Sequence, residues 1–274
     1  MVLESLKGAL GLLRHPVIWS VGLVAGVALF ATTIIATSGG AFYTQPLMLL
    51  LSLVVPFLAG GIYGTVRDEA FSADAFVQSG KTYYFRILLP GLLIFFATLL
   101  TAFLLAIPLT LLGGSVAAGA APLLFGVLVS IVFFTFFYDT VAVFEGTNVF
   151  ESIRRSIEFV MNNLGRTTLF YLTNIVVFMV LWIAGSFIWT TLLIDKLEPL
   201  IGMDPSEIQG LMPQDILAFI GTEGVWIVAG VTAVVVVLFS AFMYAYKVSF
   251  FRSHAVNAHT LQGEYDEKGR WYKY

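Results

Sequence analysis

Long apolar runs alternate with short polar segments along the chain. Each run is close to the ~20 residues that a helix needs to cross the ~30 Å apolar core of a bilayer. The ~10-residue alternating segments of a membrane β-barrel are not found. The pattern therefore predicts an all-α polytopic membrane bundle of six transmembrane helices. We place them at Val17–Thr37, Pro46–Val66, Ile87–Leu112, Pro122–Val143, Thr168–Ile194 and Gly224–Tyr246.

These spans predict one membrane domain, residues 1–250, followed by a C-terminal tail, residues 251–274. The first run is too long for the 7–15-residue apolar core of a signal peptide, and we expect it to be retained as a span. Between spans five and six, the loop 195–223 is long and acidic. It is either a lid or partner surface, or a solvated cap.

The segment between spans four and five has a different pattern. From Phe150 to Asn163, apolar residues recur at helical spacing and charged or polar residues fill the opposite face. A helix of this kind next to apolar spans typically lies flat at the membrane surface. We therefore predict an amphipathic surface helix. Its apolar positions are Phe150, Ile153, Ile157, Val160, Met161 and Leu164, and its polar positions are Glu151, Ser152, Arg154, Arg155, Glu158 and Asn162.

Two fainter copies of this segment occur earlier in the chain. An acidic residue, a small residue, a large apolar residue and then a second small residue recur in Glu4–Leu10, Asp74–Gly80 and Glu151–Ile157. The copies are 70 and 77 residues apart. Each copy precedes an odd-numbered span. The pattern therefore predicts a threefold repeat, in which each unit is a surface helix followed by a transmembrane hairpin.

Composition supports a membrane protein and removes several classes of function. Hydrophobic residues make up 59% of the chain and charged residues 11%, against roughly 25% charged residues in soluble domains. The net charge of −3 gives no reason to expect nucleic-acid binding. The absence of cysteine excludes disulfides, thiolate metal sites and cysteine nucleophiles.

The basic residues predict the orientation. If the N-terminus, the loops after spans two and four, and the C-terminus share one side, that side holds thirteen of the fourteen Lys and Arg residues. The other side holds only Lys196. Because Lys and Arg concentrate in cytoplasmic loops, we expect a multi-pass cell-membrane protein with both termini in the cytoplasm.

Asp139 is the best candidate for chemistry inside the membrane. It lies near the cytoplasmic end of span four, followed by Glu145 at the boundary. A buried carboxylate must be hydrated, protonated or paired. Two interpretations stay open: a polar cluster that gates or binds something, or an ion pair that fixes the surface helix to the bundle. The predicted cluster consists of Asp139, Glu145, Arg154, Arg155, Lys81 and Arg86.

Motifs of known enzymes are not found. The sequence lacks HExxH, GxSxG, P-loop and GxGxxG patterns at useful positions, and its three histidines do not form a ligand set. We therefore expect no catalytic residues, no cofactor and no metal.

One region resembles a known group of membrane domains. The run YDTVAVFEGTNVFESIRRSIEFVMNNLGRTTLF resembles the membrane domain attached to some glycerophosphodiester phosphodiesterases, and related uncharacterised six-span prokaryotic families. The matching elements are Val143–Glu145, Ser152–Ser156 and Asn163–Gly165, with Ala75–Arg86 fitting the earlier half. The resemblance implies the six-span fold. The phosphodiesterase domain is not present, so that activity is not implied.

Two functions stay open at this stage. The first is a non-enzymatic membrane protein that organises, assembles or regulates a partner protein on the cytoplasmic face. This interpretation rests on the contrast between the elaborate surface helices and the scarcity of ionisable residues within the spans. The second is a permease for a small or lipid-like solute, motivated by Asp139, the prolines within the spans and the repeat. The lipid bilayer is a partner in both cases, and the oligomeric state is not predicted.

Overall fold

The structure is a computed structural model that describes residues 2–112, 114–201, 203–204, 210–259, 264–265 and 271–272. It confirms the predicted all-α class. The helices are α1 (Val2–Leu12), α2 (Ser20–Thr37), α3 (Ala41–Arg67), α4 (Ala73–Leu112), α5 (Gly114–Thr135), α6 (Tyr138–Phe144), α7 (Val149–Asn162), α8 (Leu164–Leu192), α9 (Ile194–Ile201) and α10 (Pro213–His259), with a 3₁₀ turn at Pro16–Trp19. Two short strands, β1 (Glu264–Tyr265) and β2 (Trp271–Tyr272), pair antiparallel.

Six of the described segments are long and apolar enough to cross a membrane. They are Pro16–Thr37, Ala41–Arg67, Ala73–Ile107, Leu124–Phe144, Leu164–Leu192 and Leu217–Ala255. Each contains most of one predicted span, so the predicted number and order of spans are confirmed. The sixth is much longer than predicted, because Val248, Phe250 and Phe251 continue the apolar helix beyond Tyr246. The predicted start of the tail therefore falls inside α10.

The second copy of the repeat also differs from its prediction. We expected a short surface helix separate from span three, but α4 is one continuous helix of 40 residues. Residues 81–86 contain neither proline nor glycine and give no signal for a break. The other two copies do end in breaks, at Pro16 after α1 and at Asn163 after α7. The run Asp204-Pro205-Ser206-Glu207 in the acidic loop also predicts a helix start, with Asp at the N-cap and Pro at the first helical position, and it falls largely on residues outside the described ones.

The chain divides into two compact units. The first comprises residues 1–12, 56–170 and 244–274, and the second comprises residues 13–55 and 171–243. In the second unit, Gly22 and Gly26 face the backbone of Val237 and Ala233 so closely that a Cβ atom on either glycine would collide with it. Small residues four apart thus let α2 and α10 approach within that unit, a common device in membrane helices.

Aromatic rings form the centre of the first unit. Phe137 is fully buried, and its ring centroid lies 4.9 Å from that of Phe159, 5.4 Å from Phe170 and 5.7 Å from Phe250. Aromatic pairs at such separations contribute about 0.5–1.5 kcal/mol each beyond the burial of their area. These rings connect α7, α8 and α10 to the break between α5 and α6.

The second small residue of each repeated segment is buried in the first unit, at Ala9, Ser79 and Ser156. Ser79 lies against Gly64, and the Ser156 hydroxyl donates to the carbonyl of Phe134. In the first segment, the residue that bonds to another helix is instead the first small residue, Ser5, whose hydroxyl lies 2.6 Å from that of Ser253. The three segments therefore share the burial of one position but differ in the contacts they make.

Candidate functional site

Span four is broken at residues 136–137, between α5 and α6. The N–H of Phe137 donates to Ser156 Oγ at 3.1 Å, and the Ser156 hydroxyl donates to the carbonyl of Phe134 at 3.0 Å. A side chain that inserts into the backbone hydrogen-bond ladder is a recognised cause of helix kinks. Because backbone groups within a bilayer must find partners in the protein, Ser156 satisfies both groups and stabilises the break.

The break positions Asp139 in the first turn of α6. Asp139 is buried, and its carboxylate accepts hydrogen bonds from three residues. Lys247 Nζ lies 2.7 Å from Oδ1 and 2.8 Å from Oδ2. The Tyr63 hydroxyl donates to Oδ2 at 3.0 Å, and the backbone N–H of Thr140 donates to Oδ1 at 2.7 Å. The carboxylate thus has a hydrogen-bonded and charge-paired environment.

Lys247 is held by an aromatic ring as well as by the carboxylate. Its ammonium nitrogen lies 3.9 Å from the centroid of the Phe136 ring, well within the ~6 Å range of cation–π attraction. The side chain is only 5% exposed. Phe136 lies at the break itself, so the same distortion of span four supplies both the carboxylate and the ring that contact Lys247.

A buried pair of this kind matters most when it is disrupted. Removing one partner leaves an uncompensated charge, which typically costs about 3–5 kcal/mol. Replacing both partners by apolar residues is often neutral or stabilising. The Asp139–Lys247 pair can therefore hold α6 against α10. Its charged groups could also form ion pairs with a different partner in place of each other.

Two arginines near the ends of spans two and six bind backbone carbonyls of other helices. The Arg67 guanidinium donates to the carbonyl of Val143 at 3.0 Å, and the Arg252 guanidinium lies 3.5 Å from the carbonyl of Val66. The first contact joins α3 to α6, and the second joins α10 to α3.

The structure divides the predicted polar cluster. Asp139 contacts Lys247 and not the basic residues that the sequence placed beside it. Lys81 is exposed and has no ion pair within the described part of the chain. The remaining contacts are Glu145 with Arg155 at 3.2 Å, Arg155 with Glu151 at 2.8 Å, Arg154 with Glu151 at 3.2 Å and with Glu158 at 3.3 Å, and Arg86 with the carbonyl of Gly146 at 3.3 Å.

These outer contacts attach α7 and the loop before it. The hydrogen bond to Glu151, together with the negative charge of Glu145, raises the pKa of the Arg155 guanidinium above its ordinary value. Arg155 is therefore charged at every accessible pH. Arg154 is more exposed, with 64% of its side chain accessible. An ion pair thus does fix α7 locally, but it uses Glu145 and not Asp139.

Sequence reasoning missed Lys247 and Tyr63. Lys247 was assigned to the loop beyond span six, although apolar and aromatic residues flank it on both sides. That flanking pattern, and a charge opposite to the only acid inside span four, are signals that could have identified it. Tyr63 gave no comparable signal, since a tyrosine in an apolar run is most simply a packing residue.

Residues 1–254 match a family model described as a domain of unknown function, DUF7847. The chain belongs to this family. The matched region contains Asp139, Lys247, Tyr63 and α7, so the site lies within the part of the chain that the family model covers. Searches of curated proteins and of solved structures gave no match. The match is consistent with the predicted uncharacterised family and gives no support to the resemblance to the glycerophosphodiester phosphodiesterase membrane domain.

Proposed function

We propose that this protein is a non-enzymatic membrane component that holds or regulates a partner protein through α7. The observation that carries the proposal is the contrast between the two faces of α7. Ser152, Ser156, Phe159 and Val160 are buried against the first unit, whereas Phe150 is 74% exposed. A helix fixed rigidly on one face and rich in accessible charged and apolar groups on the other is suited to partner binding.

The accessible face of α7 presents both signs of charge. Arg154 lies between Glu151 and Glu158, and all three sit on one stripe of the helix. Charge patterns of this kind contribute more to the specificity of a partner than to its affinity. The exposed apolar residues Phe150 and Met161 would supply the buried anchors that interfaces need, or would enter the bilayer beside the partner.

We further propose that α7 and both termini face the cytoplasm, in the cell membrane. The distribution of Lys and Arg supports this orientation. Lys247 is one of the thirteen basic residues that the prediction placed on the cytoplasmic side, and it is buried in the structure. The other twelve still favour this orientation.

Site-specific photo-crosslinking in cells tests the partner proposal. A photoreactive residue at position 154 or 158 should give one discrete crosslinked product with a second polypeptide. The same probe at Glu198, an exposed residue of the acidic loop, provides the matched control on another surface. A product at Glu198 alone would move the partner to that loop and contradict the role of α7.

A charge-exchange variant separates recognition from folding. Arg154→Glu combined with Glu158→Arg keeps the i,i+4 pair that joins these residues at 3.3 Å, while it inverts the charges offered to a partner. We expect normal amounts of folded protein and loss of the crosslinked product. An unchanged product would contradict recognition through these charges.

The buried ion pair favours a second candidate, a permease for a small or lipid-like solute. Charged residues within membrane spans frequently mark transport pathways. A reproducible small-molecule adduct on the purified protein would support this candidate, provided that it is lost when Asp139, Lys247 and Tyr63 are replaced together by Leu, Met and Phe. Retention of the adduct in that variant would contradict it.

A further inference from the structure

Two partly exposed tyrosines adjoin the Asp139–Lys247 pair. Tyr138 is the first residue of α6, and Tyr244 lies three residues before Lys247 on α10. Both are close enough to Asp139 for its charge to act on their phenol groups, but within the described part of the chain neither hydroxyl has a hydrogen-bond partner. All four residues belong to the first unit. The pair therefore has polar groups beside it that its own hydrogen bonds do not use.

The two phenols connect the surface of the first unit with the buried pair. The Tyr244 ring stacks on that of Tyr63, with centroids 5.9 Å apart, and the Tyr63 hydroxyl donates to Asp139. The Tyr138 hydroxyl lies in the space left by Gly91 of α4, where any side chain would collide with it. Because polar groups in a protein interior ordinarily have partners, these hydroxyls indicate the side from which a polar ligand reaches Asp139.

The ammonium group of Lys247 occupies a site made for a cation. Its nitrogen lies 3.9 Å from the centroid of the Phe136 ring, 5.8 Å from that of Phe137 and 5.9 Å from that of Tyr63. The Asp139 carboxylate closes the site with two short contacts of 2.7 and 2.8 Å. Aromatic faces around a cation are a recurrent way of binding ammonium groups. The ammonium group of a ligand would meet the same rings and the same carboxylate.

Charge balance selects the class of ligand that can enter. A cation alone would replace Lys247 at Asp139 and leave the lysine unpaired. An anion alone would leave Asp139 unpaired. Either result leaves an uncompensated buried charge, which is strongly destabilising. A molecule that carries an ammonium group and an anionic group on neighbouring carbons keeps both residues paired, and only such a molecule does so without other ions.

We propose that Asp139 and Lys247 form a binding site for a small zwitterion. The ammonium group of the ligand pairs with Asp139 among the aromatic rings, and its anionic group pairs with Lys247, so that the ligand stands between two residues that otherwise pair with each other. Free α-amino acids and the headgroup of phosphatidylethanolamine share this chemistry. The proposal does not depend on partner binding by α7. It names a ligand class for the permease candidate but concerns binding alone, whether the ligand is transported or only sensed.

Binding of L-leucine and two matched analogues to the purified full-length protein in phosphatidylglycerol nanodiscs tests the proposal. Leucine has an apolar side chain that suits the surrounding rings. Isopentylamine is leucine without its carboxylate, and 4-methylpentanoate is leucine without its ammonium group. We expect leucine to raise the temperature of the thermal transition by several degrees. Each analogue should bind roughly tenfold or more weakly, because it leaves one buried charge unpaired.

Single-charge variants should reverse this order. Asp139→Asn keeps the Lys247 cation and should prefer 4-methylpentanoate, whereas Lys247→Met keeps the carboxylate and should prefer isopentylamine. A pair with a structural role alone would not produce this exchange of preference. The triple variant Asp139→Leu, Lys247→Met and Tyr63→Phe should bind none of the three compounds. Lys196→Met with Glu223→Leu is the matched control, since it removes an ion pair of 2.7 Å elsewhere in the chain and should bind leucine like the wild type.

Nanodiscs that contain phosphatidylethanolamine and phosphatidylglycerol in equal amounts distinguish the two sources of the zwitterion. Preferential retention of phosphatidylethanolamine in native mass spectra of the wild type, and its loss in the triple variant, would identify a lipid headgroup as the ligand. Leucine binding without this retention would identify a free amino acid.

Two results would overturn the proposal. The first is equal binding of leucine and its analogues by the wild type, or no binding of any of them, together with equal retention of the two lipids. The second is a triple variant that binds leucine or retains phosphatidylethanolamine as the wild type does. Both comparisons use proteins in which no buried charge is left unpaired, so they remain measurable if the single-charge variants do not fold.

Discussion

The pairing of Asp139 with Lys247 is the feature on which the residue-scale account rests. The Asp139 carboxylate accepts hydrogen bonds from Lys247, Tyr63 and the backbone N–H of Thr140. The ammonium group of Lys247 also lies over the Phe136 ring. A single acid was visible in the sequence of span four. Its partner was not, because periodicity shows which face of a helix is apolar but not which two helices meet. The two residues are 108 positions apart in the chain, so their pairing depends on the tertiary fold.

Breaking this pair should be more harmful than removing it. We expect Asp139→Asn to lower the free energy of unfolding by about 3–5 kcal/mol, because it leaves the Lys247 charge buried without its counter-ion. The triple replacement Asp139→Leu, Lys247→Met and Tyr63→Phe removes the charges and the phenol that would otherwise lose its acceptor. It should stay within about 1–2 kcal/mol of the wild type. Reversible unfolding in mixed micelles measures the free energy of unfolding of both variants. Equal losses of stability would contradict the conclusion that charge pairing holds α6 against α10.

At the scale of elements, α7 and the break in span four depend on one another. The hydroxyl of Ser156 bonds to both sides of the break, and Phe159 packs on Phe137 next to it. The sequence predicted α7 as a helix because its apolar positions recur every three or four residues. It did not predict the break, since residues 133–137 contain no proline or glycine and the cause lies on another helix. The continuity of α4 was not predicted, because the sequence repeat suggested that a surface helix ends before span three. Residues 81–86 contain no proline or glycine that would end the helix there.

Ser156→Ala tests the origin of the break. The change leaves the N–H of Phe137 and the carbonyl of Phe134 without this partner, and a buried unsatisfied group costs about 1–3 kcal/mol. We expect a loss of stability of that size and faster amide exchange around Phe137. Ser130→Ala is the control, because Ser130 is exposed and bonds only to a carbonyl of its own helix. Similar effects of the two changes would contradict the structural role of Ser156.

At the scale of the whole molecule, the length and number of the apolar runs determined six spans and their order. This succeeded because the thickness of a bilayer fixes the length of a spanning helix. The sequence placed the end of span six at Tyr246, because the next residue, Lys247, is charged and a charged residue commonly marks the end of a span. In the structure Lys247 is paired with Asp139, and the helix continues beyond it. The distribution of the basic residues leads to an orientation that can be measured directly.

Introduced cysteines provide that measurement, because the natural chain contains none. Lys7→Cys and Glu198→Cys each place a thiol at an exposed position. A membrane-impermeant maleimide applied to intact cells should label the Glu198 variant and leave the Lys7 variant unlabelled until the membrane is opened. The reverse pattern would invert the orientation, and would place α7 outside the cell.

Native mass spectrometry of the protein, released from its own membrane in lipid nanodiscs, tests the partner-binding account most directly. The account predicts a second polypeptide at fixed stoichiometry with the wild-type chain, and its loss from the variant that exchanges the charges of Arg154 and Glu158. A chain that is released alone, in wild type and variant alike, would contradict the proposed function.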